Sequence, residues 1–547
     1  MKVLTTTQLR DMLKGGALNL EINKAYVDSL NVFPVPDGDT GTNMNLTMQS
    51  SIKMMEDCTE DDIGAISQAF AKGALMGARG NSGVILSQIF KGFSAILKES
   101  KELTTKVFAR ALKNGSHIAY DVVTSPKEGT ILTVIRLVSD YALKIAGKKQ
   151  TFINFFEAIL AEGEKVLSKS PEMLPVLKKA GVVDAGGRGL LCILYGMYNV
   201  LAGKEMVAEV VPETDTATNV AEDKVAHEFE NLDDIKYAYC TEFFIINIFQ
   251  KTTLSDIDKL RDKLQKIGDS LIVVGDLDFV KVHVHTNNPD KALGYALQLG
   301  ELGQLKIENM LEQNREINRK KKEIEKVPPK PVGLVSICTG EGISTLFKEL
   351  RADAILEGGQ TMNPSVDDIV KLVDGVNAET VYILPNNGNI VLAAEQAKEL
   401  TKANLVVIAT KNIPQGISAA MNFDPSLDVE TNVSNMETAM KQVRSGQITH
   451  AVRDTEMDGI ELHNGDVIGL YEKTIVASGQ DVNEVAKTVI EKMADDSTAA
   501  ITLYYGAGLT ENVARALEEE LIDIYPFHDI IVCEGGQHHY FYFISVE

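Results

Sequence analysis

The sequence predicts a multidomain chain: an all-α helical bundle, a small α+β unit and a larger α/β unit. Three observations carry that expectation. Apolar residues recur at three- and four-residue spacing through roughly the first 200 residues. A strand–helix–strand–strand–helix–strand pattern follows. Short apolar strands then alternate with helices to the end. A length of 547 residues suits three or four domains at about 100–200 residues each.

The first unit, 1–205, reads as helical. Leu86, Ile89, Phe90, Phe93 and Ile96 share one helix face, as do Val107, Ala111, Leu112 and Ile118, and Phe152, Phe155, Phe156, Ile159 and Leu160. With few alternating runs, a barrel or bundle of antiparallel helices is the simplest architecture. Residues 206–232 form an acidic linker of weak periodicity, as in Pro212-Glu213-Thr214-Asp215-Thr216. The middle unit, 233–313, predicts strands at Tyr237–Phe249, Leu271–Val274, Phe279–His285 and Leu305–Leu311, with helices at Leu254–Ile267 and Asp290–Leu299. That order is the ferredoxin-like plan. A second linker, 314–331, carries Arg319-Lys320-Lys321-Lys322 and then Pro328, Pro329 and Pro331, which stop a helix and favour extended chain. In 332–547, strands are predicted at Val332–Cys338, Thr380–Leu384, Leu405–Ala409, Ala499–Tyr505 and Asp529–Cys533. Helices are predicted at Ile343–Leu350, Val366–Val373, Ile390–Thr401, Val482–Ala494 and Glu511–Leu521, giving two α/β lobes.

The charge balance is 54 basic against 77 acidic residues, a formal net charge of −23. Such a field repels nucleic acid and anionic membrane surfaces. An anionic ligand therefore needs metal ions or local positive charge at its site. The five cysteines, Cys58, Cys192, Cys240, Cys338 and Cys533, are odd in number and scattered, which argues for a reducing compartment. Met1–Thr7 has no apolar run of signal-peptide length, and no apolar stretch of about 18 residues occurs. The expectation is a soluble, cytoplasmic protein without membrane insertion.

The loop Pro34-Val35-Pro36-Asp37-Gly38-Asp39-Thr40-Gly41 places two carboxylates around a glycine. Two readings fit: a solvated turn, or a platform for magnesium and phosphate, since adjacent carboxylates repel unless a cation sits between them. An EF-hand fails at Gly41 and Met48, and no Walker A loop is present. Gly77-Ala78-Arg79-Gly80-Asn81-Ser82-Gly83, Glu128-Gly129-Thr130 and Asp184-Ala185-Gly186-Gly187-Arg188-Gly189 each precede a helix. Free amides there suit a phosphate, while close helix packing also selects glycine. Arg79 reads equally as a surface residue or as a cation for the reacting anions. On a strand, His283 and His285 share a face. With Cys240 they form either a zinc site with one position open or shared, or two partly exposed histidines and one buried thiol. His538 and His539 point to opposite faces of a strand and read as structural.

The run Asn31-Val32-Phe33-Pro34-Val35-Pro36-Asp37-Gly38-Asp39-Thr40-Gly41-Thr42-Asn43-Met44 resembles the signature of the nucleotide-binding subunit of dihydroxyacetone kinase. The order of helical unit, small α+β unit and DegV-like α/β unit resembles the FakA family of fatty acid kinases over the whole chain. The resemblance implies a helical barrel that binds ATP with two magnesium ions on Asp37 and Asp39. Asn31 stands near the place of a third aspartate in the dihydroxyacetone kinase pattern. It puts Thr40, Asn43, Asn81, Ser82, Gly83, Thr130, Asp184 and Gly186 near the nucleotide. It implies phosphorylation of a fatty acid carboxylate, presented by a separate DegV-family fatty-acid-binding protein, to an acyl phosphate for phospholipid synthesis. Arg79 would add charge stabilisation there. The family's middle domain carries a Cys and His-x-His set, which favours zinc at Cys240, His283 and His285. Apolar strands of the middle unit suggest a homodimer. Two other readings stand beside this one: a dihydroxyacetone-type kinase of a small hydroxyl substrate, and a non-catalytic nucleotide sensor or scaffold.

Overall fold

The computed structural model describes residues 2–31, 38–100, 102–123, 126–147, 150–206, 236–249, 251–275, 280–312, 328–359, 363–451, 454–457, 459–472 and 474–547. The chain makes two compact units: Met1–Asp215 together with Pro329–Glu547, and Thr216–Pro328.

The amino-terminal part is helical, with α1 (Thr6–Ser29), α2 (Thr40–Glu56), α3 (Ile63–Met76), α4 (Gly80–Lys98), α5 (Thr105–Val122), α6 (Ile131–Ile145), α7 (Phe152–Leu167), α8 (Ser170–Met173), α9 (Pro175–Ala180) and α10 (Ala185–Ala202). Local chemistry starts several of them. Thr5 and Gln8 form a reciprocal capping box on α1, and the Thr104 and Thr151 side chains cap α5 and α7. The core is one apolar cluster drawn from these helices. At its centre Phe108 meets Phe93, Phe152, Phe155 and Phe156 edge-on, at centroid distances of 5.1, 6.0, 6.1 and 5.3 Å. Glycine sets how closely the helices cross. A Cβ on Gly196 of α10 would lie 2.2 Å from the Gly15 carbonyl oxygen of α1, and one on Gly92 of α4 would lie 2.7 Å from the Gly115 Cα of α5.

The middle unit is an antiparallel sheet whose described strands run in the order Gly268–Gly275, Val280–Thr286, Tyr239–Ile246, Glu301–Asn309. Helices Leu254–Gln265 and Pro289–Ala296 contribute Leu260, Leu264 and Ala292 to the core formed by Phe243, Ile245, Val280, Val282 and Val284. The last strand begins at Glu301, ahead of the expected Leu305. It lies at the sheet edge with Leu305 and Ile307 exposed, so its burial pattern does not announce it.

Among the described residues the carboxyl-terminal part holds two larger sheets and a two-stranded one, Thr455–Met457 with Ile460–Leu462. The first is parallel, in the order Asn404–Val407, Ala378–Leu384, Lys330–Cys338, Ala354–Glu357. The second is mixed, in the order Thr474–Gly479, Val467–Tyr471, Arg444–His450, Tyr542–Val546, Ala500–Tyr505, Asp529–Glu534. One apolar cluster, including Leu334, Tyr382, Tyr504, Tyr540 and Phe543, joins them. The sequence reading placed a strand at five of these positions and missed Ala354–Glu357, Arg444–His450, Thr455–Met457, Ile460–Leu462, Val467–Tyr471, Thr474–Gly479 and Tyr542–Val546. It also missed helices Ile413–Met421 and Val429–Gln442. The first missed strand is four residues long, and Arg444–His450 interleaves Arg, Ser, Gly and Gln. Among the described residues no helix is long and apolar enough to cross a membrane.

Phe108→Ala removes the ring that four others touch. It is expected to destabilise the helical part by about 3–5 kcal/mol, read as a lowered denaturant midpoint. A change below about 1 kcal/mol would show that this aromatic cluster is not the core.

Candidate active site

Asp37 lies outside the described residues, whereas its neighbour Asp39 is buried at the N-cap of α2. An N-cap aspartate ordinarily accepts a hydrogen bond from the second or third amide of its own helix. Asp39 makes no such bond. Asp28, in the last turn of α1, does so instead. Its carboxylate accepts from the Thr42 amide at 3.0 Å and the Thr42 hydroxyl at 2.8 Å, and also from the Gly41 amide. Burial pushes the Asp28 carboxyl up to about 6, against the lowering effect of those bonds and of Lys24. The orphan amides of α2 are thus satisfied from a neighbouring helix, and the Asp39 carboxylate turns elsewhere, toward Asn363.

The same device recurs at the starts of α6 and α10. Asp184 caps its own helix through the Gly187 amide at 2.7 Å, and also accepts from the Ile131 amide at the start of α6. Burial raises this carboxyl too, to about 6. Thr130, the N-cap of α6, makes no side-chain cap; its hydroxyl donates to the Lys127 carbonyl at 2.8 Å. The preceding loop is braced by Glu128, which accepts from the Thr133 hydroxyl at 2.7 Å and from Arg136 at 2.6 Å. Gly186 packs against α6, a Cβ there lying 3.3 Å from Ile131 Cβ.

The start of α4 meets the carboxyl-terminal part. Gly80 has φ +56, and a Cβ on it would lie 2.6 Å from Asn43 Nδ2. A Cβ on Gly83 would lie 2.5 Å from Thr47 Oγ1, so this glycine serves the α2–α4 crossing. Arg79 donates to the Asn363 carbonyl at 3.1 Å and pairs with Asp368 at 3.7 Å. Asn81 donates to Asn389 Oδ1 at 2.8 Å, and Gln88 to Gln396 Oε1 at 2.7 Å. Asn43 is buried inside α2, while Thr40 and Ser82 are half-buried in the first turns of α2 and α4. Asn31 follows α1, its amide donating to the Asp28 carbonyl at 3.0 Å.

The structure therefore brings Asp39, Asn43 and the start of α4 together. It commits the side chains of Arg79 and Asn81 to the seam with the carboxyl-terminal part. Sequence reasoning missed Asp28 and Asn363. Asp28 had a signal: an acidic group in the last turn of a helix opposes the helix dipole and calls for another reason to be there. Asn363 had none, since nothing in the spacing places it beside Asp39. The donor set at α2 suits a hard divalent cation. It offers the buried Asp39 carboxylate and, beside it, the buried carboxamide of Asn363, whose Oδ1 has no hydrogen-bond partner among the described residues.

In the middle unit, Cys240 pairs directly across from His285, with His283 two residues away on the same face. Their ligand atoms all lie within 4.8 Å of one another, and Cys240 Sγ is 4.0 Å from His283 Nδ1. Asp269, on the next strand, stands 3.8 Å from His285 Nδ1.

A model of the DAK2 domain matches residues 34–199, which span α2 to α10. The fold and site thus define a kinase-like protein built on a DAK2 domain. Fatty acid kinase models of FakA-like type match the middle domain at residues 236–317 and the C-terminal domain at 333–547. Protein YloV of Bacillus subtilis (strain 168) is 42% identical over 552 residues, covering 100% of both chains. The uncharacterized protein SAR1202 of Staphylococcus aureus (strain MRSA252) is 42% identical over 543 residues, covering 98% of each. The chain belongs to the FakA-like family. A solved dihydroxyacetone kinase of C. freundii, in complex with AMP-PNP and Mg2+, aligns over 40% of this chain and 48% of its own at 14% identity, with a TM-score of 0.30, too loose a likeness to carry detail.

Asp28 gives this site a pH signature. Its folded-state value lies above the unfolded one, so the carboxyl contributes stability below about pH 4 that is lost as pH rises through about 6. The stability of the wild type minus that of Asp28→Asn is expected to fall across that window in denaturant titrations. A difference that stays flat, or rises, contradicts the assignment.

Proposed function

We propose that this protein transfers the γ-phosphoryl group of ATP to a fatty acid carboxylate, held by a separate DegV-family fatty-acid-binding protein, to give an acyl phosphate for phospholipid synthesis. The observation that supports it most is the run of three matching models, DAK2 then FakA-like middle and C-terminal, along one chain.

In this reading Asp37 and Asp39 hold magnesium, with the Asn31 carboxamide nearby. Bound there, magnesium screens the repulsion between the nucleotide and the incoming carboxylate. Asp28 keeps the start of α2 intact so that Asp39 is not drawn into capping. Thr40, Asn43, Ser82 and Gly83 face the nucleotide from α2 and α4. Thr130, Asp184 and Gly186 do so from α6 and α10, and Asn81 and Arg79 brace the α4 start. The acceptor is ionised near neutral pH, so no general base is needed. Catalysis is then positioning and charge stabilisation. The cavity at the Cys338, Gly359, Asn386 and Phe543 cleft of the carboxyl-terminal part measures about 20 Å³. That is room for about one water, so the described lining of this cleft does not itself enclose an acyl chain. The setting would be the cytoplasm and the assembly a homodimer.

With ATP, magnesium and an oleate-loaded DegV-family carrier, ADP release is expected to depend on the carrier. It should fall about 100- to 1,000-fold in Asp39→Ala and in Asp37→Ala. Turnover with small hydroxyl substrates in the carrier's absence would favour a dihydroxyacetone-type kinase; nucleotide binding with no turnover on any acceptor would favour a sensor.

Cys240, His283 and His285 would hold a zinc ion in the middle unit, with Asp269 orienting His285. Metal analysis of the purified protein is expected to find about one zinc per chain, lost in Cys240→Ser. Zinc retained by that variant would contradict the ligand set.

A further inference from the structure

Asp39 belongs to the helical part, yet a hydrogen bond reaches its carboxylate from far along the chain. Asn363, on the loop before the helix Val366–Asp374, donates from Nδ2 to Asp39 Oδ2. The orientation of this carboxamide follows from chemistry: an ionised carboxylate only accepts, so the amide nitrogen faces it. Asn363 Oδ1 is then left buried and without a hydrogen-bond partner among the described residues. The residue is 2% exposed and Asp39 7%.

The seam that delivers Asn363 is built as a core. Ala78 and Val84 pack in one cluster with Val335, Ile337, Val366 and Ile369. The Val366 amide donates to the Ala78 carbonyl at 3.1 Å. Gln88, fully buried, donates from Nε2 to Gln396 Oε1 across the seam, while its own Oε1 has no hydrogen-bond partner among the described residues. Opening this contact would expose apolar surface and strand buried amides, each a destabilising change. It is therefore a standing part of the fold, unlike a detachable lid.

We propose that the carboxyl-terminal part completes the phosphoryl-transfer site and that Asn363 is a positioning residue for Asp39. Its Nδ2–H holds one carboxylate oxygen and fixes the rotamer, as outer partners of metal-binding carboxylates do. Its unpaired Oδ1 supplies an acceptor for a water on the ion. This rests on the reading of Asp39 as a magnesium ligand.

The test is a magnesium titration of a fluorescent ATP analogue bound to the full-length protein, with thermal unfolding measured alongside. Asn363→Ala and Asn363→Leu are expected to raise the half-saturating magnesium concentration about 10- to 100-fold, with nucleotide affinity in EDTA unchanged. Gln88→Leu breaks the same seam away from Asp39 and is expected to leave the magnesium dependence within about twofold of wild type. Equal shifts in both sets would show that only seam stability matters and would overturn the proposal. So would no shift in the Asn363 variants. Tighter magnesium binding or faster turnover in Asn363→Ala would identify the contact as a lock and overturn it too. A wild type whose nucleotide binding ignores magnesium would instead remove the underlying reading of Asp39.

Discussion

The structure depends on how three helix starts are satisfied. A helix leaves its first amides unpaired, and the nearest side chain at the N-cap is the usual remedy. At α2 and α6 the N-cap residues are Asp39 and Thr130, and neither side chain caps its helix. Asp28 serves α2 from the end of α1, and Asp184 serves α6 from the start of α10. Remote capping uses the short distance between crossing helices, which the glycine contacts create. It also has an electrostatic cost, because both aspartates are enclosed enough to be pushed up to about 6. The gain is that side chains at two helix starts are oriented by something other than their own helix.

The glycine-rich segments combine two demands that are easily taken for one. Gly83 and Gly186 sit in runs that resemble phosphate loops, but each also fills a packing role, against Thr47 and Ile131. Close helix approach and access of a ligand to backbone amides require the same absent side chain. The chain meets both with one residue.

Much of this was legible from the sequence. The helical periodicity of Phe152, Phe155 and Phe156 corresponds to α7, and the alternation Val280, Val282, Val284 is the core face that leaves His283 and His285 together. Local patterns of this kind carry their own geometry. Edge and polar strands did so less well: Glu301–Asn309 was expected only from Leu305 on and Arg444–His450 not at all, because both are held by backbone pairing to neighbours distant in sequence, which no window of residues displays. The site divides along the same line. Asp39 and the helix starts were visible as motifs, but Asn363 reaches Asp39 only through tertiary folding. The end to which Arg79 and Asn81 are put, holding the seam, was hidden for the same reason.

The seam also bears on the order of events during synthesis. The helical part is complete in sequence at Ala202, but the surface that covers Ala78 and Val84 is not made until Asn363 and the segment after it emerge. At roughly 5–20 residues per second, a nascent chain would carry that apolar patch uncovered for about 8–30 s while the middle unit is being translated. A ribosome-bound intermediate of this protein is thus a natural client for chaperones. Ligands that bind the helical part early would find its Asp39 loop without its partner from the carboxyl-terminal part.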